Sequence, residues 1–356
     1  SYSTQMQVMI NTLNDIRTSD KQISGTHGIG VLMANSLMFQ RFPDHNGYDD
    51  PQFSSFYGQT LPLLKRGIPV ELVHMENTPF KDTFNGLQVL VMSYSNMKPM
   101  KPEYHNYLAD WVKKGGTLIY CGEDVDPYQT VLEWWNTEGN AYKAPSEHLF
   151  EVMGLSRNPG DGTYQFGKGT VIVMREDPKH FVLKNGNDRK YFETIASAYQ
   201  NKTGKKIEIK NNFIVERGPY TIAAVMDESA SKEPLKLSGL YIDLFDKELP
   251  ILTVKQMNPG EQGYLYDLSK VSGKIKAKVL CGASRIYDEK VGKQSYSFVA
   301  KSPLNTTNVS RILLPRKPGK VLVNGKAEQP EWNESSKTLL LSFENDPAGV
   351  NVSIEW

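Results

Sequence analysis

Short apolar runs alternate with amphipathic helical patterns over roughly the first 200 residues, and this alternation restricts the fold more than any other feature. The apolar runs occupy residues 29–34, 68–73, 87–92, 117–121 and 169–174. A short apolar run bounded by turn residues is typical of a strand that is buried on both faces. Strands that alternate with helices of 10–15 residues predict a parallel sheet with helices on both faces.

The alternation of apolar runs and helical patterns ends near Thr203. From residue 213 onward the sequence offers only short β-rich runs, separated by turn signals such as Asn324-Gly325. Asn-Gly favours a two-residue hairpin turn, because both positions of that turn need a positive φ. About ten short strands in succession predict an antiparallel sandwich. We therefore predict a flavodoxin-like α/β domain at residues 24–204 and an all-β antiparallel sandwich at residues 205–356.

The first 23 residues have a pattern of their own. Met6, Met9, Leu13 and Ile16 recur every three or four residues, which predicts one apolar face of a short helix. Such a helix gains most of its stability by packing that face on another element. We predict a linker helix at residues 1–23.

Charge and cysteine content narrow the function classes. Lys and Arg number 41 and Asp and Glu 40, so the net charge of +1 creates no field that would concentrate nucleic acid. The two cysteines are too few for a disulfide framework. No apolar run approaches the roughly 20 residues that span a membrane, and no signal peptide is visible. We expect a soluble protein that binds neither nucleic acid nor a membrane.

Motifs for metals and cofactors are missing from the sequence. None of the six histidines lies four residues from another, and no His-Glu-x-x-His sequence occurs. Gly25, Gly28 and Gly30 precede the first predicted strand, whereas a phosphate-binding loop follows its strand. We therefore expect no metal and no cofactor.

Polar side chains follow several predicted strands. Parallel α/β sheets bind ligands beyond the carboxyl ends of their strands, so these positions are the first place to look for a site. The residues there that could contact a ligand are Asn35, Ser93, Tyr94, Glu123 and Asp124. Polar residues are also common in loops that bind nothing, so this set predicts at most one wall of a site.

Cys121 ends a predicted strand and is a candidate nucleophile. A nucleophile elbow needs small residues two positions before and after the nucleophile, but Ile119 and Glu123 occupy those positions. His74 and Glu76 could orient a base, although nothing in the sequence fixes their distance from Cys121. A buried, unreactive thiol is the favoured interpretation, and a hydrolase that uses Cys121 is the alternative.

A second alternative function depends on the tryptophans. The faces of Trp134, Trp135, Trp332 and Trp356 could stack on sugar rings, which would make the chain a carbohydrate-binding protein. Tryptophans at such spacings are more often part of a core or an interface.

Three segments of the first predicted domain resemble a known family. They are NGLQVLVMS at residues 85–93, MKPMKPE at 97–103 and LADWVKKGGTLI at 108–119. They are similar to the glutamine-amidotransferase-like domain that follows the catalytic barrel in bacterial β-galactosidases and lacto-N-biose phosphorylases. The segment SSFYGQTLPLLKRGIPV at 54–70 resembles the first helix and second strand of that domain. The segments SGLYIDLFD at 238–246 and NPGE at 258–261 resemble the small β-domain that ends such enzymes.

The resemblance implies a role without catalysis by this chain. In that family the domain is the trimerisation, or middle, domain, and catalysis belongs to a TIM barrel of about 250 residues that this sequence does not contain. The Cys-His-Glu order of true amidotransferases is also absent. The resemblance therefore implies the C-terminal, non-catalytic region of a bacterial carbohydrate-active enzyme. Its expected partners are a carbohydrate, met through a barrel domain or a neighbouring subunit, and further copies of the chain in a homo-oligomer.

Overall fold

The computed structural model of the protein describes residues 2–16, 19–38, 54–183, 186–271 and 277–356. The chain divides into two compact units. One, which we call the α/β unit, contains Gly25–Asn211 and Ser229–Ser231. The other, the β unit, contains Ser1–Ser24, Asn212–Glu228 and Lys232–Trp356. The α/β prediction for the first part of the chain and the β prediction for the second are both confirmed.

The chain begins with α1 (Tyr2–Ile16) and β1 (Lys21–Ile23), which belong to the β unit. The helix buries one residue in every four: Thr4, Val8, Thr12 and Ile16. The predicted apolar face is wrong in part, because Met6 is 41% and Leu13 55% exposed. Two of the four buried residues are threonines, and each can be buried because its hydroxyl donates to a backbone carbonyl. The Thr4 hydroxyl, for example, donates to the carbonyl of Thr307 at 3.0 Å.

The α/β unit contains one six-stranded sheet. Its strands are β2 (Ile29–Met33), β3 (Glu71–His74), β4 (Val89–Met92), β5 (Thr117–Cys121), β6 (Gly162–Phe166) and β7 (Gly169–Met174). They lie in the order β3-β2-β4-β5-β7-β6. The first five in that order are parallel, and β6 runs antiparallel to β7 at the edge.

Helices cover both faces of this sheet. They are α2 (Ser54–Leu64), α3 (Glu103–Lys113), α4 (Pro145–Val152), α5 (His180–Leu183) and α6 (Asp188–Thr203). On one face Leu90 and Leu118 pack with Leu108 of α3 and with α4, and on the other face alternate strand residues pack with α2 and α6. Successive strand residues point to opposite faces, so an almost continuously apolar strand serves both cores.

The structure differs from the sequence prediction at β6. This strand was not predicted, because its five residues alternate between exposed and half-buried and contain no apolar run. It forms a hairpin with β7 in which Phe166 pairs with Gly169. Residues 205–211, which we assigned to the second domain, lie in the α/β unit. There the N–H group of Lys210 donates to the carbonyl of Arg66 at 2.9 Å.

The β unit is built from antiparallel strands throughout. After β1 its strands are β8 (Asn212–Arg217), β9 (Tyr220–Val225), β10 (Leu235–Asp243), β11 (Ile251–Met257), β12 (Gln262–Asp267), β13 (Lys278–Gly282), β14 (Arg285–Val291), β15 (Ser295–Lys301), β16 (Thr307–Leu313), β17 (Lys320–Val323), β18 (Lys326–Ala327), β19 (Glu331–Asn333), β20 (Thr338–Glu344) and β21 (Val350–Glu355).

These strands form three sheets instead of the single sandwich that we predicted. The sheet orders are β1-β8-β9-β12-β10-β11, β13-β16-β20-β19 and β14-β15-β21-β17-β18. The second and third sheets enclose a common core that includes Ile312, Phe298 and Val352, so the sandwich itself comprises the strands from β13 onward. The first sheet shares another core with α1 and with residues of the second sheet.

The Asn324-Gly325 turn is found where the sequence predicts it. Val323 pairs with Lys326 across a two-residue connection between β17 and β18. Asn324 has a φ of 47° and Gly325 a φ of 78°. Both values are positive, as this type of hairpin turn requires.

Candidate functional site

The parallel strands of the α/β unit all end at one edge of the sheet, which we call the carboxyl edge. The five predicted ligand-binding residues follow β2, β4 and β5 there. Their exposure differs sharply. Ser93 and Tyr94 are 0% exposed, Asp124 is half-buried, and Asn35 and Glu123 are exposed. The side chains of this set therefore do not form one continuous accessible wall.

The strand order reverses between β2 and β4, and open α/β sheets usually bind ligands in the crevice at such a point. Among the residues that the structure describes, which do not include 39–53 after β2, buried hydrogen bonds cross this position. The hydroxyl of Ser36, after β2, donates to the carbonyl of Lys98 at 2.6 Å and accepts from the N–H group of Lys98 at 2.8 Å. The hydroxyl of Ser93 accepts from the N–H group of Ser95 at 3.0 Å. The hydroxyls of Ser36 and Ser93 are thus bound to backbone groups at the same edge.

An ion pair lies beneath this surface. The Lys98 ammonium group is 2.8 Å and 3.0 Å from the two carboxylate oxygens of Asp126, and the two side chains are 2% and 1% exposed. Asp126 also accepts from the Tyr128 N–H group at 3.1 Å and from the Gln129 side chain at 2.8 Å. Burial lowers the pKa of Lys98, and the charge of Asp126 opposes this shift. The pair joins the loops after β4 and β5.

Asp124 is held by three side chains from different elements. Arg175 and Ser146 both donate to its Oδ2 at 2.7 Å, and the hydroxyl of Tyr120 donates to Oδ1. Asp124 also has a φ of 59°, which aspartate tolerates better than most residues. Because both carboxylate oxygens already have donors, this side chain serves to connect the loop after β5 with α4 and the loop after β7.

Tyr94 begins a chain of hydrogen bonds that includes two histidines. Its hydroxyl lies 2.5 Å from Nε2 of His105 on α3, and Nδ1 of His105 lies 2.8 Å from Nδ1 of His148 on α4. Burial raises the pKa of Tyr94, with a further contribution from the charge of Asp124. Burial lowers the pKa of His105 far below its usual value and also lowers that of His148. Neither histidine stands out in the sequence, because the two are 43 residues apart and share no local motif.

The tryptophans are buried or half-buried and contact other parts of the fold. All five lie in the described residues, and none is in the exposed class. Trp135 is 1% exposed, and Trp134 lies edge-on against His105 and His148 at 5.7 Å and 5.3 Å between ring centres. Trp332 and Trp356 pack against the core of the sandwich. The structure thus favours the core interpretation of these residues.

Cys121 and His74 are not brought together. They lie on β5 and β3, which are separated by β2 and β4. At a spacing of about 4.8 Å between neighbouring strands, the two backbones are about 14 Å apart. Cys121 is 0% exposed and packs in the core with Ile119 and Tyr191. Burial strongly raises the pKa of its thiol, which is the opposite of what a nucleophile needs.

We expect Cys121 to react slowly with iodoacetamide at neutral pH. The native protein should remain unlabelled under conditions that modify the unfolded chain within minutes, because the thiol is inaccessible and protonated. Peptide mass spectrometry separates Cys121 from Cys281, whose pKa burial raises to about 12. Rapid native labelling of Cys121 alone would contradict this expectation and would favour the hydrolase alternative.

An open groove of about 660 Å³ runs along β6, β7 and α6. Its lining is mixed in charge and includes Thr163, Gln165, Lys190 and Glu193. Among the residues that the structure describes, no three His, Cys, Asp or Glu side chains are grouped so that they could hold a metal ion. Within the same residues, we find no helix with the length and apolar character needed to cross a membrane.

Comparison with known proteins gives structural but not sequence relatives. No protein-family model and no curated protein sequence matches the chain. The chain is similar to Gan42B, a GH42 β-galactosidase from G. stearothermophilus, with 13% identity and a TM-score of 0.40 over 67% of this chain and 40% of that one.

Two further β-galactosidases are similar to the chain. For the enzyme from Bacillus circulans sp. alkalophilus, the identity is 11% and the TM-score 0.42, over 68% of this chain and 42% of that one. For the enzyme from Rahnella sp. R3, the identity is 12% and the TM-score 0.41, over 72% and 42%. The chain thus spans about 40% of the length of these enzymes.

Proposed function

We propose that this chain is the non-catalytic region of a bacterial carbohydrate-active enzyme. In this proposal the α/β unit is a flavodoxin-like, amidotransferase-like domain that supports oligomerisation or forms a wall of an active site. A barrel domain or a neighbouring subunit completes that site and binds the carbohydrate. The strands from β8 onward serve as an accessory β region.

The hydrogen bonds across the described part of the carboxyl edge are the observation that carries this proposal. An α/β enzyme needs an accessible crevice where its strand order reverses, and here Ser36 and Lys98 are hydrogen bonded across that position. Glycoside cleavage needs two carboxyl groups about 5–9.5 Å apart across one sugar. At this edge Asp124 and Asp126 already have internal donors, which leaves Glu123 as the exposed acid in that loop. A supporting role fits this arrangement better than catalysis.

Two further features support the proposed domain type. The parallel strands follow the order in which flavodoxin-like sheets are wound, with the second strand outside the first. The segments at 85–93 and 108–119, which carry the family resemblance, form β4 and the end of α3 with β5. The resemblance thus falls on elements that build the centre of the sheet.

The purified 356-residue chain should show no turnover of aryl-glycosides or galactosides, with or without phosphate. Release of the aryl group, followed by absorbance, measures this directly. A longer protein that joins this chain to a catalytic barrel should hydrolyse or phosphorolyse the substrate. Robust hydrolysis by the chain alone, abolished by Glu123→Gln or Cys121→Ser, would contradict the proposal and place the active centre in the α/β unit.

A further inference from the structure

The Tyr94–His105–His148 chain can hold only a limited number of protons. With both imidazoles neutral, the Tyr94 hydroxyl donates to Nε2 of His105, and Nδ1–H of His105 donates to Nδ1 of His148. One added proton fits if both bonds reverse, so that His148 donates to His105 and His105 donates to the Tyr94 oxygen. A second proton puts N–H groups on both facing Nδ1 atoms, and the bond between the histidines is lost.

We propose that Tyr94, His105 and His148 form a pH-sensitive latch, which joins α3 to α4 at neutral pH and opens in acid when both imidazoles are protonated. The latch connects three separate elements, because Tyr94 lies in the loop after β4. Trp134 covers it from the side, with its ring nitrogen bonded to the carbonyl of Pro99 at 2.8 Å. Opening the latch therefore also disturbs the loop that contains Lys98.

The charges around the latch determine the order of protonation. Glu103 on α3 and Glu151 on α4 favour the charged form of His148 but do not outweigh burial. Asp124 acts on Tyr94, while Lys98 donates to the Tyr94 carbonyl. Tyr142 lies edge-on against the ring of His148 at 5.4 Å. His148 is half-buried and close to two acids, so it takes the first proton.

His105 takes the second proton, which opens the latch. It is 0% exposed and its bonding partners are Tyr94 and His148, so no carboxylate compensates its charge directly. The charge of a protonated His148 further opposes this step. The latch thus stays closed when one proton is added and opens when the second is added.

The sign of the pH effect follows from the direction of the pKa shifts. Both histidines have lowered pKa values in the folded state, whereas in the unfolded chain they titrate near about 6.5. The unfolded chain therefore binds protons first as the pH falls below that value. The stability that the neutral latch provides is complete above about pH 6.5 and is lost progressively in more acidic solution.

The first test is the thermal unfolding of the full chain between pH 7.5 and pH 5.5. We expect the melting temperature of the α/β unit to fall by about 5 °C through this latch, a loss that His148→Gln should reduce by at least half. His27→Gln is the matched control, because His27 is an exposed histidine of the same unit. It should retain the full pH dependence. The same pH dependence in His148→Gln and the wild type would overturn the proposal.

A second test needs no variant and so remains decisive if His148→Gln fails to fold. Histidine-selective labelling allows NMR to follow both imidazoles of the wild-type chain during acid titration. We expect two steps below about pH 6.5: the His148 signals move first, together with a tautomer change of His105, and a second step protonates His105 and changes the Trp134 fluorescence. Independent titration of His148 near its ordinary pKa, with His105 unchanged, would show that the latch does not exist.

Discussion

Lys98→Met is expected to reduce the free energy of unfolding of the α/β unit by about 3–5 kcal/mol. The substitution keeps the length of the side chain but leaves the Asp126 carboxylate, which is 1% exposed, without its counter-ion. The remaining donors of Asp126 are Tyr128 and Gln129, and they cannot neutralise a buried charge. Urea denaturation at pH 7, followed by circular dichroism, measures the loss.

Two further variants separate the ion pair from other causes. Lys190→Met removes a lysine of the same unit whose partner Asp161 is 3.7 Å away, with side chains 70% and 56% exposed. An exposed pair of this kind contributes little, so the change should stay within about 0.5 kcal/mol. Adding Asp126→Asn to Lys98→Met should recover part of the loss, because the stranded charge is gone. Equal effects of Lys98→Met and Lys190→Met would contradict the structural account.

Gly58→Ala is expected to destabilise the α/β unit by about 3 kcal/mol, although alanine is the better helix former by about 1 kcal/mol. Gly58 lies in α2, and a Cβ atom there would lie 1.8 Å from the carbonyl oxygen and 2.4 Å from the carbonyl carbon of Pro178. Both are backbone atoms, so relief requires α2 to move away from the segment before α5. The midpoint of urea denaturation should fall without a change in slope.

Gly160→Ala is the matched control for this prediction. No atom lies within 4 Å of a Cβ at Gly160, and its φ is outside the range that L-residues avoid. The substitution should change the free energy of unfolding by no more than about 0.5 kcal/mol. A stabilising effect of Gly58→Ala would mean that α2 does not pack as closely on Pro178 as the structure places it.

Periodicity predicts the central strands of the α/β unit well because they are buried on both faces. Every residue of β4 and β5 is buried, so these strands stand out from the helices between them as continuous apolar runs. β6 lacks this signal, since it lies at the sheet edge and alternates between exposed and half-buried residues. The buried face of α1 differs from the predicted one for another reason. Thr4 and Thr12 become buried only because the fold supplies acceptors for their hydroxyls.

The sequence predicts where the carboxyl edge lies but not which side chains contact one another there. The polar residues after β4 and β5 mark the edge correctly, because strand ends follow from the apolar runs. Whether Tyr94 faces solvent depends on contacts with residues on other elements, such as His105 and Tyr120. Lys98 is the clearest case, because lysine is rarely buried unless paired, and its partner Asp126 is 28 residues away. No local pattern contains that information.

The pairing of β1 with β8 makes the α/β unit an insertion within the β unit. Ile23 pairs with Val215, and the whole α/β sheet is encoded between these residues. During synthesis α1 and β1 emerge before the α/β unit but have no sheet to join until β8 follows. The α/β unit, whose sheet strands are contiguous in the chain, can fold in the meantime and bring the ends of the insertion together. Folding from the ribosome is therefore expected to proceed from the inserted unit to the six-stranded sheet of the β unit, and the strands from β13 onward follow.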